Sequence, residues 1–87
     1  MDFDRIWENI LLYEGESFRS KTGKHFYYTA HENYILINEN NQIRISREAI
    51  ETALSIEDPT PAKIEREGIW GKSYVFTLIT DPRIVGE

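Results

Sequence analysis

From Glu16 to Ile45 the side chains alternate between apolar and polar with a period of two, and this alternation constrains the fold more than any other feature of the chain. Period two describes strands buried on one face, because successive side chains point to opposite sides of a sheet. The pattern breaks at Thr22-Gly23, at Glu32-Asn33 and at Asn38-Glu39-Asn40-Asn41, all turn formers, so the segment reads as an antiparallel four-strand meander. Turn chemistry sets its register, since a one-residue slip would send every apolar side chain to the wrong face. A three-residue loop Lys21-Thr22-Gly23 gives Gly23 the left-handed position and sets Phe18 opposite Phe26. A two-residue loop Glu32-Asn33 pairs Ala30 with Ile35 and Tyr28 with Ile37. A three-residue loop Glu39-Asn40-Asn41, with Asn41 left-handed, pairs Ile37 with Ile43 and Ile35 with Ile45. All three choices agree on one apolar face, made of Phe18, Phe26, Tyr28, Ala30, Ile35, Ile37, Ile43 and Ile45.

Helical patterns flank the meander. Phe3, Ile6, Trp7, Ile10 and Leu11 recur at helical spacing, with Asp2 or Asp4 as N-cap and Gly15 as a stop, which predicts a helix over 3–13. Ser46 reads as the N-cap of a second helix over 47–56. Asp58-Pro59-Thr60-Pro61 breaks that helix, and Thr60 with Pro61 opens a short one that stops at Gly68. Ser73-Tyr-Val-Phe-Thr-Leu-Ile-Thr80 is rich in β-branched and aromatic residues on both faces, which predicts a covered last strand ended by Asp81-Pro82. The expected fold is therefore α+β in the order αββββααβ: a four-strand antiparallel meander plus a C-terminal strand, with helices packed on one face.

Length and composition bound the class. A chain of 87 residues, 40% of them apolar and 13% aromatic, leaves no room for a second core and buries roughly 60% of its unfolded surface, so one domain over 1–87 is expected. Its aromatic content argues against disorder. With no cysteine there is no disulfide framework, no thiolate nucleophile and no Cys-based metal site. The start MDFDRIWENI is acidic and amphipathic, unlike a signal peptide, and the longest uncharged run, 73–80, is too short to span a bilayer. A soluble cytoplasmic protein with no membrane association and no cofactor is expected.

Catalytic motifs do not assemble. Gly71-Lys72-Ser73 resembles the end of a phosphate loop, but Arg66 stands where that loop needs its first glycine, and a strand is expected where it needs a helix. His25 and His31, six apart on one strand, place their Cα atoms about 20 Å apart, too far to share an ion. Asp81-Pro82-Arg83 reads as a turn with a local ion pair.

Charge sign varies along the chain. The formal net charge is −5, yet residues 17–31 carry Arg19, Lys21 and Lys24 with no acid, between acidic segments 1–16 and 32–58 and ahead of a neutral 59–87. In the register above, the face opposite the apolar one displays Arg19, His25, Tyr27, Thr29, His31, Tyr34, Leu36 and Arg44. Basic groups interleaved with tyrosines can neutralise phosphates and stack bases, whereas the acidic flanks repel the same backbone.

The pieces Phe18-x-Ser20-x-Thr22-Gly23-Lys24-x-Phe26-x-Tyr28, Ile45-Ser46-Arg47, Gly71-x-Ser73-Tyr74-Val75 and Asp81-Pro82-Arg83-Ile84 resemble a small uncharacterised prokaryotic domain family. That family comprises hypothetical proteins, some carried on mobile elements such as integron cassettes. The resemblance covers most of 16–84 and implies a role for Tyr74 and the Gly71–Ser73 entry in the fold or in a site. It brings no activity, so no catalytic residue is carried over.

Three functions follow as expectations. The first, and the one favoured, is a small non-enzymatic interaction module or homo-oligomeric adaptor, such as a homodimer, that uses the exposed sheet face around Tyr27, Tyr34 and Leu36. The second is nucleic-acid or other polyanion binding through Arg19, Lys21, Lys24, His25, Tyr27 and Arg44. The third is a small-molecule pocket or enzyme site walled by Trp70, Lys72, Tyr74 and Arg83.

Overall fold

A computed structural model describes residues 2–20, 22–38 and 43–86. The elements run α1 (Phe3–Leu12), β1 (Phe18–Arg19), β2 (His25–Phe26), β3 (Tyr28–Ala30), β4 (Tyr34–Ile37), β5 (Arg44–Ser46), α2 (Arg47–Leu54), α3 (Pro61–Arg66), α4 (Lys72–Thr80) and α5 (Pro82–Val85). The class is α+β, and the described residues form five helices and two small antiparallel sheets, β1-β2 and β3-β4-β5.

Every strand pair has the register that turn chemistry dictates. Phe18 faces Phe26, Tyr28 faces Ile37, Ala30 faces Ile35 and Ile35 faces Ile45. The Ile37 N–H donates to the Ile43 carbonyl just before β5, and the His31 N–H donates to the Tyr34 carbonyl, closing the two-residue turn at Glu32-Asn33. Gly23 takes a φ of +89°, as its turn requires. The left-handed conformation expected of Asn41, with its loop 39–41, lies outside the described residues, as does Lys21.

Two expectations are corrected. The meander is not one four-strand sheet. At Tyr27 the ladder breaks, because the chain ahead of β1 reaches the edge of β3 out of register: the Gly15 N–H donates to the Tyr28 carbonyl, and the Glu14 carboxylate accepts from the Ala30 N–H at 2.6 Å. Those contacts occupy the edge along which β1 would have continued pairing, leaving a two-stranded and a three-stranded sheet. The second correction is larger: residues 72–80 form a helix, not a strand, so there is no C-terminal strand among the described residues. Val75, Thr77, Leu78 and Ile79 are buried, and α4 contacts α2, α3, α5 and β1. A segment enclosed on every side is apolar all round whether helical or extended. Its threonines are satisfied within the helix, Thr77 Oγ1 donating to the Ser73 carbonyl at 2.8 Å and Thr80 Oγ1 to the Phe76 carbonyl at 2.7 Å.

Helix boundaries follow capping chemistry. Asp2 accepts from the Asp4 N–H, Ser46 from Ala49, Thr60 from Lys63 and Asp81 from Arg83. Pro61 and Pro82 sit in the first turns of α3 and α5, where no N–H is needed. Among the described residues seventeen buried apolar side chains, drawn from every helix and strand, form one cluster, with Tyr28, Phe18 and Phe26 its largest fully buried members. Phe18 and Phe26 stack at 5.9 Å, and Phe26 meets the Tyr74 ring edge-on at 4.9 Å, which joins the first sheet to α4. The buried Tyr28 hydroxyl donates to the Ile10 carbonyl of α1, and burial pushes its pKa well above the usual phenol range.

Candidate functional site

The inner face of the three-stranded sheet is closed by the core, and its outer face is open. Among outer-face residues Tyr27, His31 and Arg44 are exposed, while Thr29, Tyr34 and Leu36 are half-buried. Thr29, Leu36 and Arg44 line up directly across β3, β4 and β5. Tyr34 stands on the central strand with a neighbour on each flank. The His31 ring, at the end of β3, stacks on it with centroids 4.5 Å apart and planes 14° from parallel, and the Arg44 guanidinium of β5 lies 3.8 Å from its centroid. The turn residues Glu32-Asn33 explain the first contact, since a two-residue loop sets positions 31 and 34 opposite each other. The second is a diagonal cross-strand pair.

Arg19, Lys24 and His25 are exposed on the first hairpin. The Arg19 guanidinium approaches Gly23, and His25 Nδ1 lies 3.3 Å from Ser17 Oγ. Arg19 also lines a groove with Phe76, Thr77 and Thr80 of α4 and with Asp81 and Pro82, so its flank of the hairpin borders the helices, and these three groups belong to the basic segment 17–31. On the β5 side the surroundings change sign: Arg44 borders a groove lined also by Asn33, Ser46, Arg47, Glu48 and Glu51. Arg47 itself is committed to Asp4, at 2.8 Å.

The second candidate region is the α3–α4 hairpin. A cleft of about 460 Å³ is lined by Glu65, Gly68, Ile69, Trp70, Gly71, Lys72, Ser73 and Tyr74. Three of the four residues expected at a pocket, Trp70, Lys72 and Tyr74, therefore share one. Arg83 does not. It is held over the Phe18 ring at 4.0 Å, donates to both Asp81 carboxylate oxygens at 2.9 and 3.1 Å, and donates to the Ser17 carbonyl at 3.2 Å. This ion pair holds the Asp81 carboxyl below its ordinary pKa and raises that of Arg83. The turn with a local ion pair expected at Asp81-Pro82-Arg83 is thus present, and it fastens α5 to β1.

Gly71-Lys72-Ser73 does open a helix, contrary to the strand expected there, while Arg66 still stands where a phosphate loop needs its glycine. Two participants escaped the sequence reading. Glu65 pairs with Lys72 at 2.8 Å across seven residues and a loop, for which no local pattern exists. Glu14 closes the edge of β3, and only the slipped register reveals it. No group of three or more potential metal ligands gathers among the described residues, and no helix there is long and apolar enough to cross a membrane.

Comparison with family models, with curated proteins and with solved structures finds no match to this chain.

Proposed function

We propose that this domain is an interaction module that takes an acidic protein surface on the outer face of the β3–β4–β5 sheet and the adjoining β1–β2 hairpin. The observation that carries the reading is the preassembled His31–Tyr34–Arg44 stack on a face whose polar side chains reach solvent. Tyr and Arg are the residue types that dominate binding energy at protein interfaces, and a stack already formed loses little side-chain freedom on binding. Charge gives the direction of approach. Glu48 and Glu51 flank Arg44 on the α2 side, whereas the first hairpin exposes Arg19, Lys24 and His25 within a segment that holds no acid. An acidic partner therefore runs from Arg44 toward β1–β2. Self-association through this face is less favourable, because a two-fold contact sets the same basic patch against its copy.

A nucleic-acid reading draws support from Tyr27, which is 49% exposed two residues from His25. It is weakened by the stack itself, which covers Tyr34 from both flanking strands, and by the net charge of −5. The test is fluorescence anisotropy at low salt with a labelled Glu-rich peptide and a labelled oligothymidylate. Peptide binding that falls as salt rises, and weakens about tenfold (~1.4 kcal/mol) in Arg44→Glu, is the expected result. Tighter binding of the oligonucleotide would transfer the face to the nucleic-acid reading, and binding of neither would overturn both.

A further inference from the structure

The α3–α4 cleft stands apart from the sheet face and carries a different chemistry. We infer that it is a binding site for a small planar aromatic anion, such as an aryl phosphate or an aryl carboxylate. Trp70 is 74% exposed on its wall, a large apolar surface left in water by a protein that buries its other tryptophan, Trp7, in the core. The loop backbone holds Trp70 there. Gly68 and Gly71, on either side of Ile69-Trp70, take φ of +81° and +80°, and Gly71 packs so closely on the sheet that an added Cβ would lie 3.0 Å from Ile43 Cγ2. The loop is thus pinned to the core at Gly71, and the indole is presented outward by a fixed backbone. The cleft, about 460 Å³, has the size of a site for one ring with a charged substituent.

The sign of the ligand follows from the ion pair at the cleft. Lys72 is its more enclosed member, with 43% of its side chain exposed against 64% for Glu65. An exposed pair of this kind is weakly held and easily exchanged. An incoming anion takes the place of Glu65 on the Lys72 ammonium, and the carboxylate swings into water. Ser73, which also lines the cleft, offers a hydroxyl, while Ile69 and Tyr74 with Trp70 supply the apolar wall for the ring. A cation would have to displace the inner Lys72 instead, so the geometry favours the anion.

The probe is phenyl phosphate, titrated into ¹⁵N-labelled protein, with benzoate, inorganic phosphate and benzylamine as comparisons. Saturable shifts at the Trp70 indole N–H and the amides of residues 69–74 are expected for phenyl phosphate and benzoate at millimolar concentration or below. Trp70→Ala and Lys72→Gln should each weaken binding about tenfold. Both positions are solvent-exposed or half-buried, so the variants fold, and Arg44→Glu should leave these shifts unchanged. Inorganic phosphate binding as tightly as phenyl phosphate would overturn the aromatic requirement, and benzylamine binding as tightly would overturn the anionic one. No saturable shift with any probe, or shifts that depend on protein concentration alone, would overturn the site.

Discussion

On the outer face of the sheet Tyr34 lies between His31 and Arg44, whereas at the tip of the α3–α4 hairpin Trp70 stands with its ring in solvent and the nearby cation, Lys72, turned to Glu65. Both surfaces offer an aromatic ring and a cation, in different states of assembly. A third arrangement, Arg83 over Phe18, is complete: ring buried, cation clamped by Asp81. On the functions proposed above, one pair of residue types serves three purposes. Where the cation has a buried ring and a carboxylate, the contact holds the fold together. Where ring and cation are stacked but exposed, the proposed role is a platform for a broad partner. Where they are separate, each keeps an unspent face for a small ligand.

Substitutions that break this series should fall in a definite order of effect on stability. Gly71→Ala comes first, because it combines a left-handed backbone with the 3.0 Å approach to Ile43, and a loss of about 1–3 kcal/mol in urea unfolding is expected. Asp81→Asn follows at about 1 kcal/mol, since it removes the charge from the Arg83 clamp while keeping the cap oxygen. Its signature is pH dependence. The folded-state carboxyl sits below its unfolded value, so its contribution is present at neutral pH and is lost as pH falls through the depressed folded-state value. The wild-type chain should therefore lose stability on acidification below the ordinary carboxylate range more steeply than Asp81→Asn does. Tyr34→Leu, which dissolves the exposed stack, should cost roughly 0.5–1 kcal/mol and weaken peptide binding as well. Trp70→Ala should change stability by less than about 0.5 kcal/mol, as expected for a side chain that is 74% exposed. A large loss there would place Trp70 among the fold's supports and remove the contrast.

The strand registers were legible because two kinds of information agreed. Gly23 and the Glu32-Asn33 turn set loop lengths, and the alternation from Phe18 to Ile45 accepts only those lengths. The first helix and the caps at Ser46 and Thr60 were legible for the same reason, since a side chain and its local backbone suffice to specify them. Helix α4 was not. Tyr74, Val75, Phe76, Thr77 and Ile79 favour strands intrinsically, and packing against α2, α3, α5 and β1 selects the helix, information that lies elsewhere in the chain. The split at Tyr27 was hidden for a related reason, because it depends on Glu14 and Gly15 meeting β3 out of register. Of the candidate sites, the outer sheet face could be read from alternation alone. Trp70, Lys72 and Tyr74 could be read as neighbours, but the assignment of Arg83 to them failed because Asp81, two residues away, claims it.

Whether the outer face of the β3–β4–β5 sheet is the proposed partner surface can be read from one ¹⁵N-labelled sample titrated at low salt with the Glu-rich peptide, its amide shifts mapped residue by residue. Shifts centred on Thr29, His31, Leu36 and Arg44, extending to His25 and Arg19 and disappearing as salt is raised, are the result expected. Shifts confined to α2, or to residues 65–74 of the hairpin, with the outer face unmoved, would contradict it.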